Sequence, residues 1–290
     1  MKQSLFITIL MTGLLSLSIS ESPAKADNSQ KKEKGGQDLK HAFYFGLEYA
    51  KYIYKEPDIY QDRFVPRYGA IWMNLKGNLW GTSASYRLTW QEKIFVQPEL
   101  RILYGKHAYN MGIKEKIVFR TKKSVPSLLY EPRLMVGGHI PIINKVILSP
   151  YTGIGYRFKS DDGEEVKVCN DPRNLGFYRK SNYVYVPFGV SVDYDLDNTW
   201  SVSLKGEYDW IIKAWHYSRR PETPANVYKQ PNGYGLKGEA SISYLYKKVK
   251  FSVSPYINYW NVRNSIRPEG RGREPYNITF ESGVRLGVTF

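Results

Sequence analysis

Activation of water by a histidine held against a carboxylate is the most specific chemistry this sequence offers, and His107, Glu131 and Asp209 are the candidates for it. Imidazole acts as a general base when a carboxylate lies within hydrogen-bond reach. Each of the three falls toward one end of a stretch in which apolar and polar residues alternate, on the polar face. The plainer reading is that all three are simply paired or solvated there. His139 also has polar-face parity, with no evident serine beside it to serve as a nucleophile, and His216 has the parity of the apolar face. No spacing of His, Cys, Asp and Glu matches a zinc site. Asp161, Asp162, Glu164 and Glu165 form an acidic run that can ligate calcium or merely be solvated. Cys169 is the sole cysteine, so no internal disulfide forms. No cofactor is implied.

A larger set of charges shares the polar faces: Glu48, Arg87, Glu99, Arg101, Glu131, Arg133, Arg157, Asp193, Lys205, Glu207, Asp209, Lys213, Lys237, Glu239, Glu281 and Arg285. Both signs are interleaved. Lys205-Gly206-Glu207 and Lys237-Gly238-Glu239 are matched for pairing across neighbouring antiparallel strands. If these faces enclose an interior, the charges form either a salt-bridge network that plugs it or the lining of a narrow pore, because unpaired buried charge is costly.

Ten alternating segments carry these residues: 43–55, 69–90, 94–109, 128–139, 145–159, 183–195, 200–217, 233–246, 250–262 and 277–290. Successive side chains of a strand point to opposite faces, so each has one apolar and one polar face. In the last, Ile278, Phe280, Val284, Leu286, Val288 and Phe290 oppose Glu281, Gly283, Arg285, Gly287 and Thr289. Connections after even-numbered segments are short: Gln91-Glu92-Lys93, Pro141 to Asn144, Leu196 to Thr199 and Lys247-Lys248-Val249. Those after odd-numbered segments are long and rich in charge, Gly and Pro. Pro98, Pro132, Pro150, Pro187 and Pro255 interrupt the ladders and mark bulges or strand ends.

Aromatics on the apolar faces fall into two levels. Phe43, Trp90, Tyr194, Trp200, Tyr246, Phe251 and Phe290 form one; Tyr104, Tyr130, Phe158, Trp210, Tyr234 and Tyr259 form the other, with Val, Leu, Ile and Ala between them. Such girdles match the two interfaces of a membrane. Lys2, the apolar run Leu5 to Leu17 and the ending Ala24-Lys25-Ala26 fit a secretory signal peptide over residues 1–26. Residues 27–40 read as a flexible lead-in and residues 41–290 as one β domain.

With this signal peptide, ten alternating segments, loop asymmetry and terminal Phe290, the chain resembles the small outer-membrane β-barrels of Gram-negative bacteria, a broad group that includes opacity-type barrels. The resemblance implies an all-β, closed antiparallel transmembrane barrel of about ten strands, with short periplasmic turns and long extracellular loops. It also implies location in the outer membrane, contact with lipid and lipopolysaccharide, and recognition of Phe290 by the barrel-assembly machinery. Ten is the strand count of the omptins, outer-membrane proteases; their Asp-x-His pair is missing here.

The formal charge of +15 first points to nucleic acid, which export excludes as a partner. Anionic lipid phosphates and acidic glycans take its place. Lys114, Lys116, Arg120, Lys122 and Lys123 in the second long loop, with Arg219, Arg220, Arg271 and Arg273 in the fourth and fifth, make a basic rim for such anions. The leading functional expectation is a structural or surface-interaction barrel that contacts lipopolysaccharide or an acidic host glycan and has no enzymatic role. An omptin-like peptidase and a narrow small-solute pore are the alternatives.

Overall fold

A computed structural model describes residues 39–57, 71–113, 116–120, 124–164, 177–219, 224–266 and 274–290, with no side-chain detail at 71, 112–113 and 116–120. The predicted signal peptide and most of the lead-in lie outside this range. Among the described residues there is no helix, and thirteen strands are present: β1 (Leu39–Glu56), β2 (Ile71–Trp90), β3 (Ile94–Ile113), β4 (Lys116–Arg120), β5 (Val125–Gly138), β6 (Ile140–Ile143), β7 (Val146–Asp162), β8 (Tyr178–Asp195), β9 (Trp200–Arg219), β10 (Asn226–Gln230), β11 (Gly233–Tyr246), β12 (Val249–Val262) and β13 (Asn277–Thr289).

Ten of these, with β6 continuing β5, close into an antiparallel transmembrane barrel. Each pairs with its sequence neighbours, and β13 returns to β1 from Tyr44↔Thr289 to Lys55↔Ile278. Nine of the ten alternating segments reappear with ends shifted by at most five residues, and Gly233–Tyr246 is unchanged. Two connections differ from expectation. Pro141–Asn144 is not a turn: Ile140–Ile143 pairs with β7, and the reversal falls on Asn144-Lys145. In the second and fourth long loops, β4 and β10 fold back on β3 and β9, so these hairpins continue beyond the wall of the barrel.

Short turns match strand twist by taking positive φ. Gln91 and Glu92 have φ of 51° and 56°, and Lys93 N–H donates to Trp90 C=O at 3.0 Å, closing a two-residue hairpin of the primed type. The prolines act less uniformly than expected. Pairing runs through Pro98, Pro150 and Pro255, but the β5–β7 ladder lapses beside Pro132 and the β7–β8 ladder beside Pro187.

The consequential irregularity lies elsewhere. Between Val184 and Tyr185 the β8–β9 register jumps: Val184 faces Lys213, and Tyr185 faces Ile211. Ile212 and Lys213 are therefore both exposed in succession, and parity reverses above them. A bulge of this kind re-aims every later side chain on its strand. Lys213 thus leaves the interior, and His216 enters it, 2% exposed.

Outward faces carry an apolar belt, with Leu47, Leu134, Ile154, Leu204, Ile257 and Leu286 each at least half exposed. Trp80 lies tilted against Tyr49 with ring centroids 4.4 Å apart and Tyr208 stacks near Tyr234 at 6.1 Å toward the long-loop side, while Trp200 meets Tyr244 at 4.9 Å toward the short-turn side. A continuous exposed apolar band suits lipid and not water. Replacing Leu204, 64% exposed in this belt, with Arg is expected to lower folding stability in bilayers by about 2–4 kcal/mol, against about 0–1 kcal/mol for Arg at Tyr246 near the rim, as measured by urea unfolding in lipid vesicles.

Candidate functional site

The interior has three levels. At mid-height, four carboxylates from different strands share a set of cations. Glu131 of β5 accepts from Tyr185 OH at 2.6 Å, Lys237 Nζ at 2.9 Å and an Arg157 terminal nitrogen at 3.2 Å. Glu281 of β13 accepts from Arg101 at 2.8 Å and from Arg157. Glu48 of β1 accepts from Arg101 Nε at 2.8 Å, Arg285 Nε at 3.1 Å and Tyr256 OH. Glu207 of β9 accepts from Arg133 at 2.5 Å and Tyr151 OH at 2.8 Å.

Lys237 lies 3.1 Å from each of Glu207 and Asp209 as well, so one ammonium serves three carboxylates. Glu48, Glu131, Glu281, Arg157 and Asp209 are all at most 3% exposed. Burying these ions costs several kcal/mol each, which their mutual attraction offsets only while every partner is present.

Three of the four carboxylates are set by the same device. Tyr185 faces Gly155, Tyr151 faces Gly189 and Tyr256 faces Gly283 as direct cross-strand partners. A β-carbon on Gly155 or Gly189 would lie 2.2 Å from the tyrosine ring, so only glycine lets the ring lie flat over the neighbouring strand. Each hydroxyl then reaches its carboxylate: Tyr185 to Glu131, Tyr151 to Glu207 and Tyr256 to Glu48.

Above this level, toward the long loops, the interior is partly apolar. Leu79, Leu103, Leu129 and Ala50 form one buried group, and Tyr183, Ile211, Trp260 and Val262 another. Polar pairs are embedded here. Asp161 accepts from Ser127 Oγ at 2.7 Å and from Lys159, and it lies 3.6 Å from His107 Nδ1. His107, wholly buried, stacks on Tyr52 with centroids 4.9 Å apart. Arg179 holds Glu56 at 2.8 Å. His216 lies 3.1 Å from Ser181 Oγ and 3.3 Å from Glu274.

Below it, toward the short turns and both strand termini, a cavity of about 530 Å³ opens, lined by serines and by Arg87, Lys205, Lys248 and Lys250.

The residues marked by sequence for hydrolysis are not brought together. His107 meets Asp161, whereas Glu131 and Asp209 share Lys237 in the level below. His139 does have a serine: its Nδ1 is 2.8 Å from Ser149 Oγ, a contact fixed by the β5–β7 register, and Phe95 stacks on the ring. Ser181, His216 and Glu274 form a string of hydroxyl, imidazole and carboxylate, hidden from sequence by the β8–β9 bulge. Exposures of 8%, 2% and 5% leave that hydroxyl closed to a substrate.

Among the described residues no cluster of three or more His, Cys, Asp or Glu is arranged to hold a metal. Asp161 belongs to β7 and points inward rather than lying in a loop, and Glu164 is engaged by Arg219 at 2.7 and 3.0 Å; Glu165 and Cys169 lie outside the described residues.

The paired triplets realise half of their match. Lys237 pairs with Glu207 as the register requires, but Glu239 goes to Arg285 rather than Lys205. Arg133 also reaches Glu99 at 3.5 Å, and Arg87 donates to Gln97 and lies 4.6 Å from the Phe95 ring centre. Of the basic rim, Lys114, Lys122, Lys123, Arg220, Arg271 and Arg273 lie outside the described residues, as do the side chains of Lys116 and Arg120. Phe290 exchanges backbone hydrogen bonds with Phe43 at 2.9 and 3.2 Å.

No family model and no curated protein matches the sequence. Among solved structures, the outer membrane protease OmpT of Escherichia coli superposes with a TM-score of 0.62 at 10% identity, covering 90% of this chain and 99% of OmpT. The fold is that of an outer-membrane β-barrel. The toluene transporter TbuX of Ralstonia pickettii follows at a TM-score of 0.38 and 8% identity, covering 86% of this chain and 88% of its own. The outer membrane protein OprG of Pseudomonas aeruginosa gives 0.33 and 12%, covering 85% and 95%. At these identities the likeness is one of architecture.

Two tests address how this barrel is held. Replacing Arg157 with Met leaves Glu281 Oε1 without its cation, while Arg101 still holds Oε2, and removes one partner of Glu131. It is expected to cost about 3–5 kcal/mol in urea unfolding, and a cost below about 1 kcal/mol would show the pairs to be dispensable. Glu274, outside the strands, has its carboxyl pushed up to about 8 by burial and by the Glu56 carboxylate, against the pull of Arg179. Its folded value is raised, so the folded state binds the extra proton and stability falls as pH rises from about 4.5 to 8. Glu274→Gln should match the parent near pH 4 and exceed it by about 1–3 kcal/mol above pH 8 in the same assay.

Proposed function

We propose that the protein is an integral barrel of the Gram-negative outer membrane, exported by its signal peptide, whose lumen is plugged by ion pairs and whose role is structural or surface-interactive. The observation that carries this is the mid-height network. Arg101, Arg157, Lys237 and Arg133 span from strand to strand across the interior and consume Glu48, Glu131, Glu207 and Glu281. Ten strands enclose little more room than eight, and eight leave an interior that side chains can fill. Long cations reaching inward from several walls therefore suffice to fill it.

The part presented outward is the long-loop end. Its loops carry Lys114, Lys116, Arg120, Lys122, Lys123, Arg220, Arg271 and Arg273, a basic set suited to the phosphates of lipopolysaccharide or to an acidic glycan. Arg219 takes a different part, tying β9 to Glu164 through two hydrogen bonds.

Reconstituted in planar bilayers, the protein is expected to give no single-channel steps, and to be retained on immobilised lipopolysaccharide or heparin in a salt-sensitive way that is lost when Lys114, Lys116, Lys122 and Lys123 become Gln. Reproducible conductance would refute the plug. Retention unchanged by the four substitutions would refute the basic rim.

A further inference from the structure

The cavity at the short-turn end differs chemically from the network above it. Arg87 and Lys205 line it without an ion-pair partner among the described residues: the Arg87 guanidinium sits 4.6 Å from the Phe95 ring centre and Lys205 Nζ sits 5.0 Å from that of Tyr151. Aromatic faces position both cations; Arg87 Nε donates to Gln97, and the terminal N–H groups of Arg87 and Lys205 have no hydrogen-bond partner among the described residues. Lys248 and Lys250 add two more at its edge, and Asp193 is the carboxylate that opposes them. Glu99, Glu131, Glu207 and Glu239 also line the space, and each is paired: Glu99 and Glu207 with Arg133, Glu131 with Arg157 and Lys237, and Glu239 with Arg285.

The rest of the wall is hydroxylic. Ser83, Ser191, Ser203, Ser241 and Ser252 face the space, with Tyr44 and Tyr151 among them. Ser83 Oγ and Arg133 Nε are buried polar atoms without a protein partner, and both belong to lining residues. A volume of about 530 Å³ falls in the range of small-molecule sites and is many times what an inorganic anion fills.

We propose that this vestibule is a binding site for a small saccharide carrying an anionic group, a phosphate or a carboxylate. Arg87 and Lys205 receive the anion through charge-assisted hydrogen bonds. Serine hydroxyls, which donate and accept, exchange hydrogen bonds with the sugar hydroxyls. The Tyr44 and Tyr151 rings cover its apolar C–H faces. The site is independent of the basic rim, which belongs to the opposite end of the barrel.

Isothermal titration of the detergent-solubilised full-length protein tests this with four probes: glucose 6-phosphate, glucuronate, glucose and inorganic phosphate. Both acidic sugars are expected to bind with Kd of about 1 mM or tighter, and glucose and inorganic phosphate about tenfold more weakly. If only glucose 6-phosphate or only glucuronate binds, the anionic group is assigned accordingly. Arg87→Gln with Lys205→Gln should weaken binding about tenfold or more. Ser203→Trp, which fills the cavity without touching a charge, should abolish it, and Gln at Lys114, Lys116, Lys122 and Lys123 should leave it unchanged. Heat-modifiable electrophoretic mobility reports whether each variant is folded.

The proposal fails if neither acidic sugar binds at about 10 mM, if inorganic phosphate binds as tightly as glucose 6-phosphate, or if folded Ser203→Trp binds like the parent. Loss of binding through the loop substitutions alone would assign the anion to the rim and overturn the vestibule. None of these outcomes depends on whether the lumen conducts.

Discussion

Lipid offers no hydrogen bonds to a peptide group, and everything else in this molecule follows from meeting that constraint. Each strand within the membrane must find partners on both edges, which a sheet achieves only by closing. The pairing of β1 with β13 does this, running from Tyr44↔Thr289 to Lys55↔Ile278 and extended by the Phe43 and Phe290 exchange. Closure then forces a choice on every strand, because alternate side chains must face lipid or the enclosed interior. The apolar belt and the ionic interior are two consequences of one ring.

The interior inherits a problem from that closure. Polar side chains turned inward cannot be left individually solvated in so narrow a space, and desolvated ions must meet each other. The strands answer with long cations and shorter acids from opposite walls: Arg101 joins β3 to β1 and β13, Arg157 joins β7 to β5 and β13, and Lys237 joins β11 to β5 and β9. Such links resist shear between non-adjacent strands, which backbone ladders do not restrain. The leucines above them have no such need and pack by dispersion around a few embedded polar pairs, among them Asp161 with Lys159 and Glu56 with Arg179.

Alternation made the architecture legible from sequence. A period of two carried through ten segments defines two faces, and the ranking of short and long connections orders the ends. What alternation does not encode is a break in its own phase. The bulge at Ile212 leaves no mark in the local pattern, so alternation puts Lys213 inward and His216 outward, and the structure reverses both. Partner choice across the lumen was equally hidden. Glu48 meets Arg101 and Arg285 over 53 and 237 residues of sequence, and the Glu281 partners Arg101 and Arg157 lie 180 and 124 residues away. Neighbour register predicted Lys237 with Glu207 correctly. It failed for Glu239, because a guanidinium on β13 has the longer reach and the better geometry for a carboxylate than the ammonium of Lys205.

Glycine explains how acids on short stems come to be aimed so consistently. A tyrosine standing upright in the lumen would fill it without reaching a neighbour's carboxylate; laid flat over a glycine of the paired strand, it spans sideways along the wall. Tyr185 over Gly155 and Tyr151 over Gly189 lie between β7 and β8 in opposite directions, and Tyr256 over Gly283 lies between β12 and β13, yet each ends in a hydroxyl donated to a glutamate of the network. The ring supplies rigidity that a lysine or glutamine of the same reach lacks, since it has only two side-chain torsions to fix. Sequence contains these glycines as gaps in the alternation. Register turns each gap into the seat of a tyrosine, and it is the tyrosines that hold the carboxylates where the cations of distant strands can find them.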